Sequence, residues 1–130
     1  MIALNKTWQN NTPQNIPQET VDQLVNLYNN GNFLTVVEQA KNLTNEYPKT
    51  FIVWNILGAS IAQLGKLDEA IEAFKKSITL KPDYPESYGN MGLTLKDQGK
   101  LDEAIEAFKK SIALKPDYPE SYGNMGLTLK

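Results

Sequence analysis

No cysteine, no histidine and no arginine occur in this chain; its 13 basic residues are all lysine. Each absence closes a branch of chemistry. Without thiol or imidazole there is no thiolate nucleophile, no Ser–His–Asp relay, no disulfide, no imidazole pH switch and no Cys/His zinc geometry. Without arginine, and with a formal net charge of −2, the chain lacks the basic stripe that phosphate contacts require, so nucleic acid is not an expected partner. No apolar run approaches the roughly 18 residues of a membrane span, so no membrane partner is expected either. The start, MIALNKTWQNNTPQNIPQ, turns after four residues to Asn, Gln and Thr and has no apolar stretch of the secretory kind. Residues 1–16 read as a flexible lead-in, and the expected location is cytoplasmic.

What is present is ordinary in amount. An apolar fraction of 41% and a charged fraction of 22% suit a soluble domain, and 130 residues suit one compact unit or one short array. The order is not ordinary. Gly31, Gly65 and Gly99 stand 34 residues apart, and Pro48, Pro82 and Pro116 keep the same interval. Residues 65–96 and 99–130 agree at 31 of 32 positions, Thr79 against Ala113 being the one difference.

Within a period the apolar pattern is helical. In FIVWNILGASIAQLG, Trp54, Leu57, Gly58 and Ile61 share one face, and in LDEAIEAFKKSITLKP, Leu67, Ala70, Ile71, Phe74 and Ile78 form a second stripe. Gly65 separates the two helices and Pro82 closes the unit. Asp68 and Glu69 lie in the first turn of the second helix, while Lys75, Lys76 and Lys81 lie toward its end, as the helix dipole favours. Pro85 suits the opening turn of the next helix, and the small residues Gly58, Ala70 and Ser77 permit close helix approach. The spacing predicts seven helices, over 18–29, 33–46, 51–64, 67–80, 85–98, 101–114 and 119–129.

Counted from Phe51, the unit resembles the tetratricopeptide repeat. Trp54, Leu57, Gly58, Ile61, Ala70, Phe74 and Pro82 carry the resemblance, followed by Tyr88, Met91, Gly92, Leu95, Ala104, Phe108 and Pro116. Ser77 and Ser111 stand where the family usually has alanine. Residues 119–130 begin a further unit with Tyr122, Met125, Gly126 and Leu129. Residues 17–50 keep the period but place Gln23, Leu24, Val36 and Ala40 at four signature positions, as in a variant capping hairpin. The resemblance implies an all-α, right-handed superhelical solenoid of antiparallel helix pairs over 17–130, with units at 17–50, 51–84 and 85–118 and a half unit at 119–130.

The residues offer no enzyme. Asp68, Glu69 and Glu72, repeated at Asp102, Glu103 and Glu106, fit a solvated first turn and not the cleft that general acid/base work needs. Gly65–Lys66 and Gly99–Lys100 lack the flanking residues of a phosphate loop, and GNMG at 89–92 and 123–126 follows no strand, so no nucleotide or other cofactor is expected. The acceptor-like triplets at Asn5, Asn10 and Asn42 mean little without a secretory signal. The related pentatricopeptide family reads RNA with polar and basic faces that this chain lacks.

Surface shape is what remains. If positions 4, 7, 8 and 11 of each first helix pack, then positions 2, 5, 6, 9, 12 and 13 face the other way, into the concave groove of a solenoid. These are Ile52, Asn55, Ile56, Ala59, Ala62 and Gln63, then Glu86, Gly89, Asn90, Leu93, Lys96 and Asp97, then Glu120, Gly123, Asn124, Leu127 and Lys130. Asn55, Glu86, Asn90, Leu93, Lys96, Glu120, Asn124 and Leu127 are the groove residues expected to meet a protein or peptide partner. Asn90 and Asn124 recur at position 6, where family members that grip extended peptides often carry asparagine; the alternative is that both are solvated and alike only as recent copies. The resemblance also brings a cationic clamp for carboxylate tails, but its places hold Val21, Val25, Ile56, Glu86 and Asn90, which cannot hold a carboxylate. The expected function is therefore a protein-interaction module. The alternatives are the front of a longer protein such as a transferase, and a self-assembling array. In the last, Tyr122, Met125 and Leu129 of the terminal helix would join copies into a homo-oligomer.

Overall fold

A computed structural model describes residues 16–115 of the chain. Six helices run through them: α1 (Gln18–Asn29), α2 (Phe33–Glu46), α3 (Phe51–Gln63), α4 (Leu67–Leu80), α5 (Pro85–Asp97) and α6 (Leu101–Leu114). The seventh expected helix falls outside the described residues. Successive helices pack as antiparallel pairs, and the pairs stack because α3 also touches α1 and α5. The result is the expected right-handed solenoid, with α1, α3 and α5 on its inner side and α2, α4 and α6 on its outer side.

Turns are set by the periodic glycines. Gly31, Gly65 and Gly99 adopt φ of 80°, 82° and 80°, the left-handed region in which a side chain is strained. At the middle turn Gly65 N–H donates to Ala62 O (2.9 Å) and Lys66 N–H to Ile61 O (3.2 Å), which satisfies carbonyls at the end of α3. Gly65→Ala is expected to cost about 1–2 kcal/mol, read as a lower midpoint in a urea titration with unchanged slope.

Two helix ends differ from expectation by a residue. α3 stops at Gln63 and α5 at Asp97, against expected ends at 64 and 98. Leu64 N–H is shared between Ser60 O (3.2 Å) and Ile61 O (3.1 Å), so the last turn has tightened before the glycine is reached. Pro85 takes the first position of α5 as predicted. The lysines go elsewhere: no basic residue lies in the last turn of α4. Lys76 Nζ sits 5.8 Å from the Trp54 ring centroid, and Lys81 Nζ lies 5.4 Å from that of Phe51.

The core explains the signature residues physically. Phe74 and Phe108 are fully buried, and a Cβ on Gly58 would come within 2.7 Å of Phe74 Cε1. The glycine is thus a socket for the ring of its own unit. The first unit reverses the sizes: Leu24 and Ala40, both fully buried, stand where Gly58 and Phe74 stand one period later. Large-on-small packing is kept with the large residue moved to the first helix. Ser77 and Ser111, in place of the usual alanine, donate to Phe51 O (2.9 Å) and Pro85 O (3.0 Å). Each ties the end of a second helix to the start of its partner.

Candidate functional site

The first two inner helices bring several apolar residues to the inner side. Val21 of α1 and Ile52, Ile56 and Ala59 of α3 are buried, while Val25, Ala62 and, on α5, Leu93 are partly exposed. A buried polar cluster lies at the α3–α5 boundary. There Asn55, Glu86 and Asn90 are each 1% exposed. Asn90 Nδ2 donates to Asn55 Oδ1 (3.1 Å), and Ser87 Oγ donates to the same oxygen (3.2 Å). Ser87 Oγ also lies 2.7 Å from Ser77 Oγ, whose own bond runs to Phe51 O. Two hydroxyl protons serve three contacts, so Asn55 depends chiefly on Asn90 for its acceptor oxygen. Asn90 Oδ1 is buried without a hydrogen-bond partner, an acceptor that a backbone N–H could fill.

The described residues of the expected groove, Asn55, Glu86, Asn90, Leu93 and Lys96, are not equally open. Leu93 and Lys96 are partly exposed; Asn55, Glu86 and Asn90 are covered. Asn90 is already engaged, which a helical wheel could not show, because its partner lies in another unit. Glu120, Asn124 and Leu127, together with Tyr122, Met125 and Leu129, fall outside the described residues.

The outer side was missed by sequence reasoning. Between α4 and α6 runs a groove of about 620 Å³, floored by Ile71, Tyr88, Met91 and Leu95. Between α2 and α4 lies its counterpart of about 480 Å³, over Trp54, Leu57 and Ile61. Positions assigned to packing alone are thus also groove floors, since helical periodicity marks an apolar face without saying how completely the neighbours close over it. The acidic residues Asp68, Glu69, Glu72, Asp102, Glu103 and Glu106 are exposed. Glu69 meets Lys41 at 3.4 Å and Glu106 meets Lys109 at 3.8 Å. Among the described residues no group of three acids, His or Cys is placed to hold a metal, and no helix is long and apolar enough to cross a membrane.

One carboxyl is perturbed. Lys81 Nζ lies 3.1 Å from Asp83 Oδ1, and this hydrogen bond, with the lysine charge, holds the Asp83 carboxyl below its ordinary value. A depressed carboxyl supports the fold above its ordinary pKa and loses that support as pH falls through the folded-state value. Lys81→Met is expected to raise the Asp83 midpoint in an NMR titration. An unmoved midpoint would mean that the lysine is not the cause.

The model of the TPR repeat matches residues 58–99 and 92–130. A peroxisomal targeting signal receptor of Candida albicans is 33% identical over 66 residues, 51% of this chain and 11% of the receptor. The Kluyveromyces lactis receptor of the same name is 29% identical over 84 residues, 65% of this chain and 15% of the receptor. The chain therefore spans only a small part of the curated relatives it matches. Among solved structures, a crystal structure of MamA aligns with TM-score 0.79 and 25% identity over 95% of this chain and 71% of the other. The second TPR domain of human RPAP3, in complex with an HSP70 peptide, aligns with TM-score 0.80 and 17% identity, over 85% of this chain and 92% of that one. At that identity the likeness shows the fold alone.

Proposed function

We propose, for a chain that belongs to the tetratricopeptide repeat family, a binding role without catalysis: its inner groove takes an extended or helical segment of another protein. The observation that carries this is the set of partly exposed apolar residues Val25, Ala62 and Leu93 on the inner helices, beside buried amides that end on the unfilled Asn90 oxygen. Such a surface suits an apolar segment whose backbone is gripped at one side. The RPAP3 neighbour holds an HSP70 peptide, but the absence of lysine at Val21, Val25 and Ile56 argues here for an apolar segment in place of an acidic tail. The two recurring asparagines are not equivalent. The position that Asn55 holds relative to Asn90 is held by Gly89 relative to Asn124, and glycine has no amide to offer.

Selection from a displayed random-peptide library against the full chain tests this reading. Leu93→Glu is expected to weaken the selected peptides by about tenfold or more, equivalent to about 1.4 kcal/mol, while Glu72→Lys on the outer side leaves affinity unchanged. Asn124→Ala should weaken binding at constant stability, whereas Asn90→Ala should lower both. Loss of binding in the outer variant alone would sink the reading.

A further inference from the structure

We propose that the outer groove between α4 and α6 is a second binding site, separate from the inner one, and that it takes an amphipathic helix of another protein whose apolar stripe is flanked by lysine or arginine. The two outer grooves share α4 as a wall but differ in charge. Between α2 and α4 the facing walls are opposite in sign: Lys41 comes from α2, Glu69 and Glu72 from α4. Lys41 Nζ reaches Glu69 Oε2 at 3.4 Å, so an ion pair of the chain's own bridges that gap. Between α4 and α6 both walls carry carboxylates, Asp68, Glu69 and Glu72 on one side and Glu103 and Glu106 on the other. Among the described residues no ion pair joins α4 to α6; the pair that Glu106 makes, with Lys109, runs along α6 itself. Like charges across a gap repel, and a cation placed between them relieves both walls.

The difference follows from the repeat. Glu69 and Glu72 recur one period later as Glu103 and Glu106, so copied helices side by side set acid beside acid, whereas α2 has Thr35 in place of Glu69. The floor then selects a protein over a bare ion. Tyr88 and Met91 are partly exposed there, and the cavity of about 620 Å³ falls within the roughly 300–1,000 Å³ of sites that bury apolar groups. A bare cation gains nothing from such a floor. Long basic side chains do, because their methylene stems lie on apolar surface while the charged heads reach the carboxylates. The same carboxylates repel nucleic-acid phosphates and anionic lipid. The lining runs from Asp68 to Lys75 on α4 and from Glu103 to Lys110 on α6, about 10 Å on each helix, which two turns of a partner helix match. Lys75 and Lys110 close one end, and at the other the five carboxylates face Lys100 alone. The partner's basic residues therefore belong beside the first turns of α4 and α6. If its C-terminal turns lie there, antiparallel to both, its dipole also opposes theirs.

A methionine methyl group reports on this floor. The full chain has three methionines, Met1, Met91 and Met125, so methyl-labelled methionine gives three NMR signals, and Met91→Leu assigns the one at issue. The probe is a synthetic amphipathic helix with leucine at every third or fourth position and flanking lysines in its C-terminal half. Added to the full chain, it is expected to shift the Met91 signal saturably. Glu106→Lys should weaken binding by about tenfold or more, because one wall becomes repulsive, and Glu106→Gln should give a smaller loss in the same direction. Glu38→Lys makes the same charge change at an exposed position of α2 outside the groove and should leave the affinity within about twofold. A scrambled peptide of equal composition, lacking the stripe, should leave Met91 unmoved. An unmoved signal with the amphipathic helix overturns the proposal, and equal losses at Glu38 and Glu106 reduce the effect to net charge and overturn it too. So does a shift produced equally by the scrambled peptide, which assigns the groove to any polycation. A shift that follows protein concentration with no peptide present assigns it to a second copy and overturns it equally. Loss of this peptide in Leu93→Glu would place it in the inner groove, against the proposal. Failure of the inner-groove reading leaves the Met91 signals untouched, so the two readings fail separately.

Discussion

Replacing Phe74 by alanine is expected to remove about 3–5 kcal/mol of stability, the range for truncating a buried aromatic side chain. The ring is fully buried and seated against Gly58, which has no side chain to move into the space. Collapse around the cavity is therefore poor, and the cost should lie toward the upper end. Position in the array matters as well. Phe74 belongs to the middle unit, and in a quasi-one-dimensional array stability is the sum of unit and interface terms. Loss at the centre uncouples the units on both sides. Guanidinium unfolding of Phe74→Ala, in a chain whose Trp8 is replaced by Tyr so that Trp54 alone emits, should give a lower midpoint and separate transitions by circular dichroism and by fluorescence. Phe108→Ala makes the same chemical change one unit later and should leave the first two units cooperative. A loss below about 1 kcal/mol at Phe74 would show that the ring is not packed as described.

Gly92→Ala should destabilise by about 1–3 kcal/mol, as overpacking of a filled core does. The sign is the informative part. In an exposed helix interior the same change is favourable by nearly 1 kcal/mol, since alanine is the better helix former. Here the added Cβ would lie 2.6 Å from Phe108 Cε1, and that ring is fully buried with no room to swing aside. Phe108→Leu in the same chain should recover part of the loss, because a shorter side chain retreats from the new methyl. The coupling between the two changes, taken from the four unfolding free energies, should be at least about 0.5 kcal/mol in the favourable direction. Additive effects would mean that glycine serves some purpose other than making room for the ring.

Much of the fold is legible in the sequence, and the reasons are local. The glycines that take positive φ and the prolines that follow each pair mark the period, and apolar spacing distinguishes helix from strand. Four described helices have the expected bounds, and the other two end a residue early, α3 with its Leu64 amide shared between two carbonyls. The site is less legible. Asn90 occupies the inner side as its spacing requires, but its bond to Asn55 crosses 35 positions, and no pattern within a single unit encodes it. Ser77 looks like a neutral exchange for alanine until its hydroxyl is seen on the Phe51 carbonyl. The outer grooves over Trp54 and Tyr88 escape for a third reason: whether two parallel helices leave a gap depends on their separation, not on the residues of the helix beneath.

The glycine socket and its ring lie within one unit, Gly58 with Phe74 and Gly92 with Phe108. A stretch of 34 residues beginning at Phe51 therefore inherits both halves of its most demanding fit. Copying that stretch whole introduces no new mismatch, and the array can lengthen without any adjustment in its neighbours. The hairpin of Leu24 and Ala40 carries its own reversed fit and is likewise complete, but a crossover between the two kinds of unit would join two large residues or two small ones. The near-identity of 65–96 with 99–130 starts at a turn glycine inside a unit, and it keeps the fit because both units it joins set glycine in the first helix against phenylalanine in the second.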